Sequence, residues 1–160
     1  VRACDDDLVE LDSSNFGTLA HQVLYFAGQD PAIHSHDADR IFVLFDGVLS
    51  SLVQKRYGTH EFPAIRVQVE QLRERLKHFS RWQAIHASRG WKIIAIEREI
   101  LPDQCVLEID DIRIGIRGRI DRVDYHEQSN RFLIFDYKTG EKGKGLKSVF
   151  GKSGWTDLQM

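Results

Sequence analysis

The apolar residues change period once, at Gly90, and this change restricts the fold more than any other feature of the chain. Before it, they recur every three or four positions. After it, they alternate or run together. Helical spacing lines up side chains along one side of a helix, whereas residues two apart share one face of a strand. The chain is therefore expected to build helices first and antiparallel strands second, an α/β fold of the α+β-like kind around a central sheet. Phe16, Leu19, Ala20, Val23, Leu24 and Ala27 mark a first helix from about Ser14 to Ala27, with cap candidates in Asp12-Ser13-Ser14-Asn15. Gly28 to Asp39 reads as a loop. Ile41, Leu44, Phe45, Val48, Leu52 and Val53 mark a second helix over Ala38–Tyr57. Val69, Leu72, Leu76, Phe79, Trp82 and Ile85 mark a third over Pro63–Ser88; Pro63 suits its first turn and Gly90 its stop. Four Ile-, Val- and Phe-rich segments then read as strands: Trp91–Leu101, Cys105–Ile109, Ile112–Val123 and Arg131–Tyr137. Within them Ile112, Ile114 and Ile116 alternate with Arg113, Gly115 and Arg117, the pattern of a half-buried strand. Tyr125–Asn130 reads as a polar turn, and a last helix is expected to begin near Thr156.

With 160 residues, 42% of them hydrophobic, the chain can bury one real core, and residues 1–160 are read as a single domain. No run of 18 apolar residues offers a membrane span. Cys4 and Cys105 form neither a CxxC pair nor a disulfide framework, which points to a reducing, cytoplasmic compartment. The chain has no initiating methionine and stops within the last helical pattern, so a C-terminally truncated piece of a longer polypeptide is expected. A net charge of −2 gives no global signal for nucleic acid. Locally, Lys138, Lys142, Lys144, Lys147 and Lys152 stand against Glu141 alone, either as a stripe that attracts phosphates or as a solvated loop.

The chemistry concentrates at the ends of two strands. Asp121, in Gly118-Arg119-Ile120-Asp121, stands at the end of an apolar strand, and Asp136 follows Phe132-Leu133-Ile134-Phe135 fifteen residues later. Lys138, two residues on, shares a strand face with Asp136. Two carboxylates with a lysine beside them can hold a divalent cation and orient a water against a phosphate. Asp124 is the alternative to Asp121 in that role. Arg119 and Arg122 either contact nucleic acid or pair with nearby carboxylates. Other motifs carry less. The Gly145–Ser153 segment is one residue too long for a phosphate-binding loop. His34-Ser35-His36-Asp37 reads as a polar loop rather than a zinc site. Cys105 reads as packing.

Four segments taken in order resemble the RecB-type nuclease domain of the PD-(D/E)xK superfamily. They are Gly17-Thr18-Leu19-Ala20-His21, Gly118-Arg119-Ile120-Asp121-Arg122-Val123-Asp124, Asp136-Tyr137-Lys138-Thr139-Gly140 and Asp157-Leu158-Gln159. The resemblance implies a restriction-endonuclease-like core, a mixed sheet flanked by helices, with 31–89 as a helical insertion and 90–160 as the catalytic sheet and the start of the following helix. It implies Mg²⁺, or Mn²⁺, bound by His21, Asp121, Asp136 and the Tyr137 carbonyl. Asp121, Asp136, Lys138 and Gln159 would be the catalytic set, with Lys138 steering the attacking water. Arg119, Arg122, Lys142 and Lys144 are the candidates for DNA contact. Some relatives hold an iron–sulfur cluster; Cys4 would suit one ligand, but the downstream cysteines are missing, so none is expected here. The implied activity is a Mg²⁺-dependent deoxyribonuclease, an exonuclease of recombination or repair working with a helicase domain or subunit. The competing readings are a non-catalytic nucleic-acid-binding domain of the same fold and a restriction-type endonuclease.

Overall fold

The computed structural model describes Leu11 and residues 13–58, 63–110, 112–138, 150–151 and 154–155. The chain divides at Ser88/Arg89 into two compact units, Val1–Ser88 and Arg89–Met160. The division falls where the apolar period changes. The helices lie in one unit and the strands in the other, an α/β chain as expected.

In the first unit, α1 (Ser13–Gly28), α2 (Ala38–Tyr57) and α3 (Pro63–Ser88) enclose one apolar core. α2 packs against both of the other helices: its Ile41, Phe45, Leu49 and Val53 are buried, as are Leu19, Val23 and Ala27 of α1 and Ile65, Val69, Leu72 and Leu76 of α3. α1 thus packs with residues 31–88 rather than apart from them. The expected loop over Gly28–Asp39 contains a 3-10 turn, Pro31–His34, capped by the Asp30 carboxylate on the Ala32 N–H at 2.8 Å. Ile33 of this turn is buried, and its carbonyl accepts from Gln83 Nε2 at 3.1 Å. Gln83 and Ser80 thus take core places on α3, while Trp82 and Ile85 are 39% and 52% exposed. The third helix therefore forms as expected but turns a different side inward near its C-terminus. Gln68 clasps Leu11 twice, accepting from its N–H and donating to its carbonyl, both at 2.8 Å.

In the second unit, β1 (Trp91–Ile100), β4 (Gly118–His126) and β5 (Arg131–Phe135) form an antiparallel sheet in the order β1-β4-β5. β2 (Val106–Ile109) and β3 (Ile112–Gly115) form a separate antiparallel hairpin. β6 (Phe150–Gly151) and β7 (Gly154–Trp155) form another short pair. All pairing among the described residues is antiparallel. The expected strand over Ile112–Val123 is thus two strands in different sheets, interrupted at Ile116-Arg117. Ile112, Ile114 and Ile116 are 64%, 46% and 41% exposed, so their alternation does not mark a buried face here. The expected turn begins two residues late, because Tyr125 and His126 still pair with Phe132 and Arg131. His126 then ties β4 to the start of β1. Its Nε2 donates to the Arg89 carbonyl at 2.8 Å, leaving Nδ1 to accept from the Ser129 N–H at 3.2 Å. Gly90 enters β1 at φ +88, a conformation that disfavours a side chain, and a Cβ there would stand 3.1 Å from His126 Nε2.

Candidate metal centre

Asp121 lies mid-strand on β4, the central strand of its sheet, and is 9% exposed. β1 runs antiparallel beside it, pairing Ile96 with Arg122 and Arg98 with Ile120, so Glu97 falls opposite Asp121. Glu97 has φ +49, the left-handed region, inside a ten-residue strand. A non-glycine residue held there costs about 1 kcal/mol or more and persists only where its surroundings enforce it. One carboxylate oxygen of Glu97 and one of Asp121 lie within 4.8 Å of each other. Like charges set opposite one another across strands destabilise a sheet, and a cation between them reverses the sign. Two hard oxygens at this separation fit a divalent ion such as Mg²⁺ or Mn²⁺.

Asp121 also reaches the chain beyond β5. Its Oδ2 accepts the Tyr137 backbone N–H at 2.6 Å. The next residue, Arg122, reaches the other end of the same tyrosine, donating from Nη1 to the phenol oxygen at 3.4 Å. Tyr137 is therefore gripped twice, by its backbone and by its ring, from consecutive residues of β4. Asp136 and Lys138 flank this anchored residue, and Lys138 Nζ pairs with Asp136 Oδ2 at 2.8 Å. Burial pushes the Tyr137 phenol above its ordinary range, with the Arg122 charge pulling the other way.

Arg122 is 2% exposed and forks onto Asp124, which is wholly buried, with Nε to Oδ1 at 2.6 Å and Nη2 to Oδ2 at 2.5 Å. The guanidinium also lies over the Phe135 ring, 5.1 Å from its centre. Burial works against its charge, but the hydrogen bonds of Asp124, the Tyr137 phenol oxygen and the Asp124 charge together outweigh it, and its pKa is raised further. Of the two readings the sequence allows for Arg122, the interior holds the ion pair, and the side chain does not present itself to a ligand. Both Asp124 oxygens serve this pair. Arg119, by contrast, is largely exposed and pairs through Nε with Glu97 Oε2 at 2.8 Å.

His21 lies on α1 in the helical unit, half-buried. Gln159, Lys142 and Lys144 lie outside the described residues. Cys105 is half-buried, not a core residue. Glu97 is the site residue that sequence reasoning did not single out. Only its register against Asp121 reveals it.

Among curated proteins, none matches the chain. A family model does match, that of the PD-(D/E)XK nuclease superfamily, and it aligns with residues 2–160. That span takes in the helical unit, the sheet and the segment carrying Asp121, Glu97, Asp136 and Lys138, and the chain belongs to the PD-(D/E)XK nuclease superfamily.

Proposed function

We propose that this chain carries a Mg²⁺- or Mn²⁺-dependent deoxyribonuclease centre in which Asp121, Asp136, Glu97, the Tyr137 carbonyl and His21 hold the ion. The coarse part rests on the family: a nuclease fold, hence a nucleic-acid substrate. The observation that carries the finer part is the Glu97–Asp121 carboxylate pair, with Asp136 and Lys138 held alongside through the Tyr137–Asp121 bond. When bound, the divalent ion offsets charge on the phosphate and makes water a better nucleophile at neutral pH. The residues do the rest. Asp121 spends one oxygen on the Tyr137 N–H and so fixes the direction of its carboxylate. Lys138 brings a cation within 3.0 Å of both Asp136 oxygens, where it can orient a water and offset negative charge at the scissile phosphate. Gln159 completes the catalytic set in this proposal, and Lys142 and Lys144 supply phosphate contacts. Exonuclease action of RecB type, a role in recombination or repair and work beside a helicase extend the same reading.

Cleavage of linear and circular DNA in Mg²⁺ tests it. The chain should degrade linear DNA. Lys138→Ala should retain the ion and lose about 10²- to 10³-fold in rate, the scale for removing one stabilising donor. Asp121→Asn should lose both ion and activity. Metal-independent binding without cleavage would favour the non-catalytic alternative, and cutting of circular duplex at fixed sequences would favour a restriction-type enzyme.

A further inference from the structure

The Arg119–Glu97 ion pair is not the pair that strand register prescribes. Across β1 and β4, Glu99 stands opposite Arg119. Arg119 nevertheless reaches along the strand to Glu97, and Glu99 is taken by Arg117 at 3.1 Å. The two arginines thus lean diagonally in sequence, and the one nearer Asp121 rests on a candidate metal ligand. The two ends of the Arg119–Glu97 pair also differ. The Arg119 side chain is 64% exposed and the Glu97 side chain only 14%. The cation is at the rim, and the carboxylate is turned inward beside Asp121.

We propose that Arg119 is a phosphate-binding residue held in reserve on Glu97 and released when a divalent ion takes that carboxylate. The proposal rests on the metal-centre reading above. Its logic is competition for one carboxylate. An ion pair with so exposed a partner contributes little beside a divalent cation held by two carboxylates. Once displaced, the guanidinium offers a planar fork suited to two oxygens of one phosphate. Metal and nucleic acid then assist each other's binding. By reciprocity the assistance has the same size in both directions. Arg119 would be a substrate-contacting residue that engages only a metal-loaded site, limiting phosphate capture by the unloaded one.

Calorimetric titration of Mn²⁺ into the full chain, without nucleic acid, tests the competition directly. Arg119→Gln should bind Mn²⁺ roughly two- to five-fold more tightly than the unmodified protein, the range an exposed ion pair can supply. Arg119→Lys should restore the original affinity. In a Glu97→Gln background, Arg119→Gln should change nothing further. Anisotropy of a labelled DNA duplex supplies the second arm, with Ca²⁺ replacing Mg²⁺ to restrain cleavage. Adding Ca²⁺ should strengthen binding by the unmodified protein at least about twofold more than by Arg119→Gln, a modest coupling on the usual scale. Unchanged or weaker Mn²⁺ binding in Arg119→Gln, or a gain that persists with Glu97→Gln, overturns the proposal while leaving the metal centre standing. Failure of the unmodified protein to bind Mn²⁺ overturns both. Because Arg119 is at the surface, matching melting curves of the variants and the unmodified protein check that folding is not the cause.

Discussion

Arg122 and Asp124 show how a motif can carry charge for support rather than for reaction. Two apart on β4, they share one face, opposite to that of Asp121, and both are buried. Removing one partner of such a pair strands the other charge away from water. Asp124→Ala should therefore cost about 3–5 kcal/mol in a denaturant melt, whereas Arg122→Met combined with Asp124→Leu should cost less than either single change. Asp121, Asp136 and Lys138 could be found in the sequence because each closes or follows an apolar run. The fate of Arg122 could not, since exposure and burial at a strand end look alike until the sheet is assembled. Glu97 was hidden for a related reason. In Ile96-Glu97-Arg98-Glu99 it reads as one of several polar residues near a strand end. Its importance comes from the neighbour across the sheet and from a backbone conformation that residue type does not announce.

At the level of elements, the helices were the most legible. The bounds expected for the second and third coincide with α2 and α3. Their inward faces were read less well. The stripe Leu76, Phe79, Trp82 and Ile85 advances by threes, and each such step falls about 60° short of a full turn, so it rotates off the core. The side actually buried continues through Ser80, Gln83 and Ala87, where two polar residues conceal the pattern. The strands fared worse, because Ile112–Val123 carries β-forming residues throughout and nothing in its composition marks the change of sheet. Packing marks it instead. A Cβ on Gly115 would come within 2.7 Å of the Pro102 Cβ and 2.8 Å of its carbonyl oxygen, so the chain can pass there only without a side chain. Gly115→Ala should destabilise the protein by about 1–3 kcal/mol, as overpacking does. Hydrogen exchange should accelerate first in β2 and β3, since that hairpin shares no ladder with the β1-β4-β5 sheet.

For the molecule as a whole, helices followed by strands could be read from the change of apolar period, and the family resemblance implied 31–89 as an insertion. The helical unit takes in α1 together with those residues, and α1 packs on α2 and on the 3-10 turn Pro31–His34. Metal should stabilise the folded chain, because an ion bound only by the native state shifts the equilibrium by mass action. At Mn²⁺ about 100 times its dissociation constant, stability should rise by about 2.7 kcal/mol. A thermal melt would register the gain in the unmodified protein and its loss in Asp121→Asn. The double grip on Tyr137 has a consequence for anyone selecting inactive variants. Past Phe135 the chain has left the ladder, so the aim of its acid and its ammonium group depends on what clasps the tyrosine between them. Lesions at Arg122 or Asp124 would thus abolish the proposed activity much as loss of a reacting group would, and a genetic map of dead alleles would draw the proposed centre larger than it is.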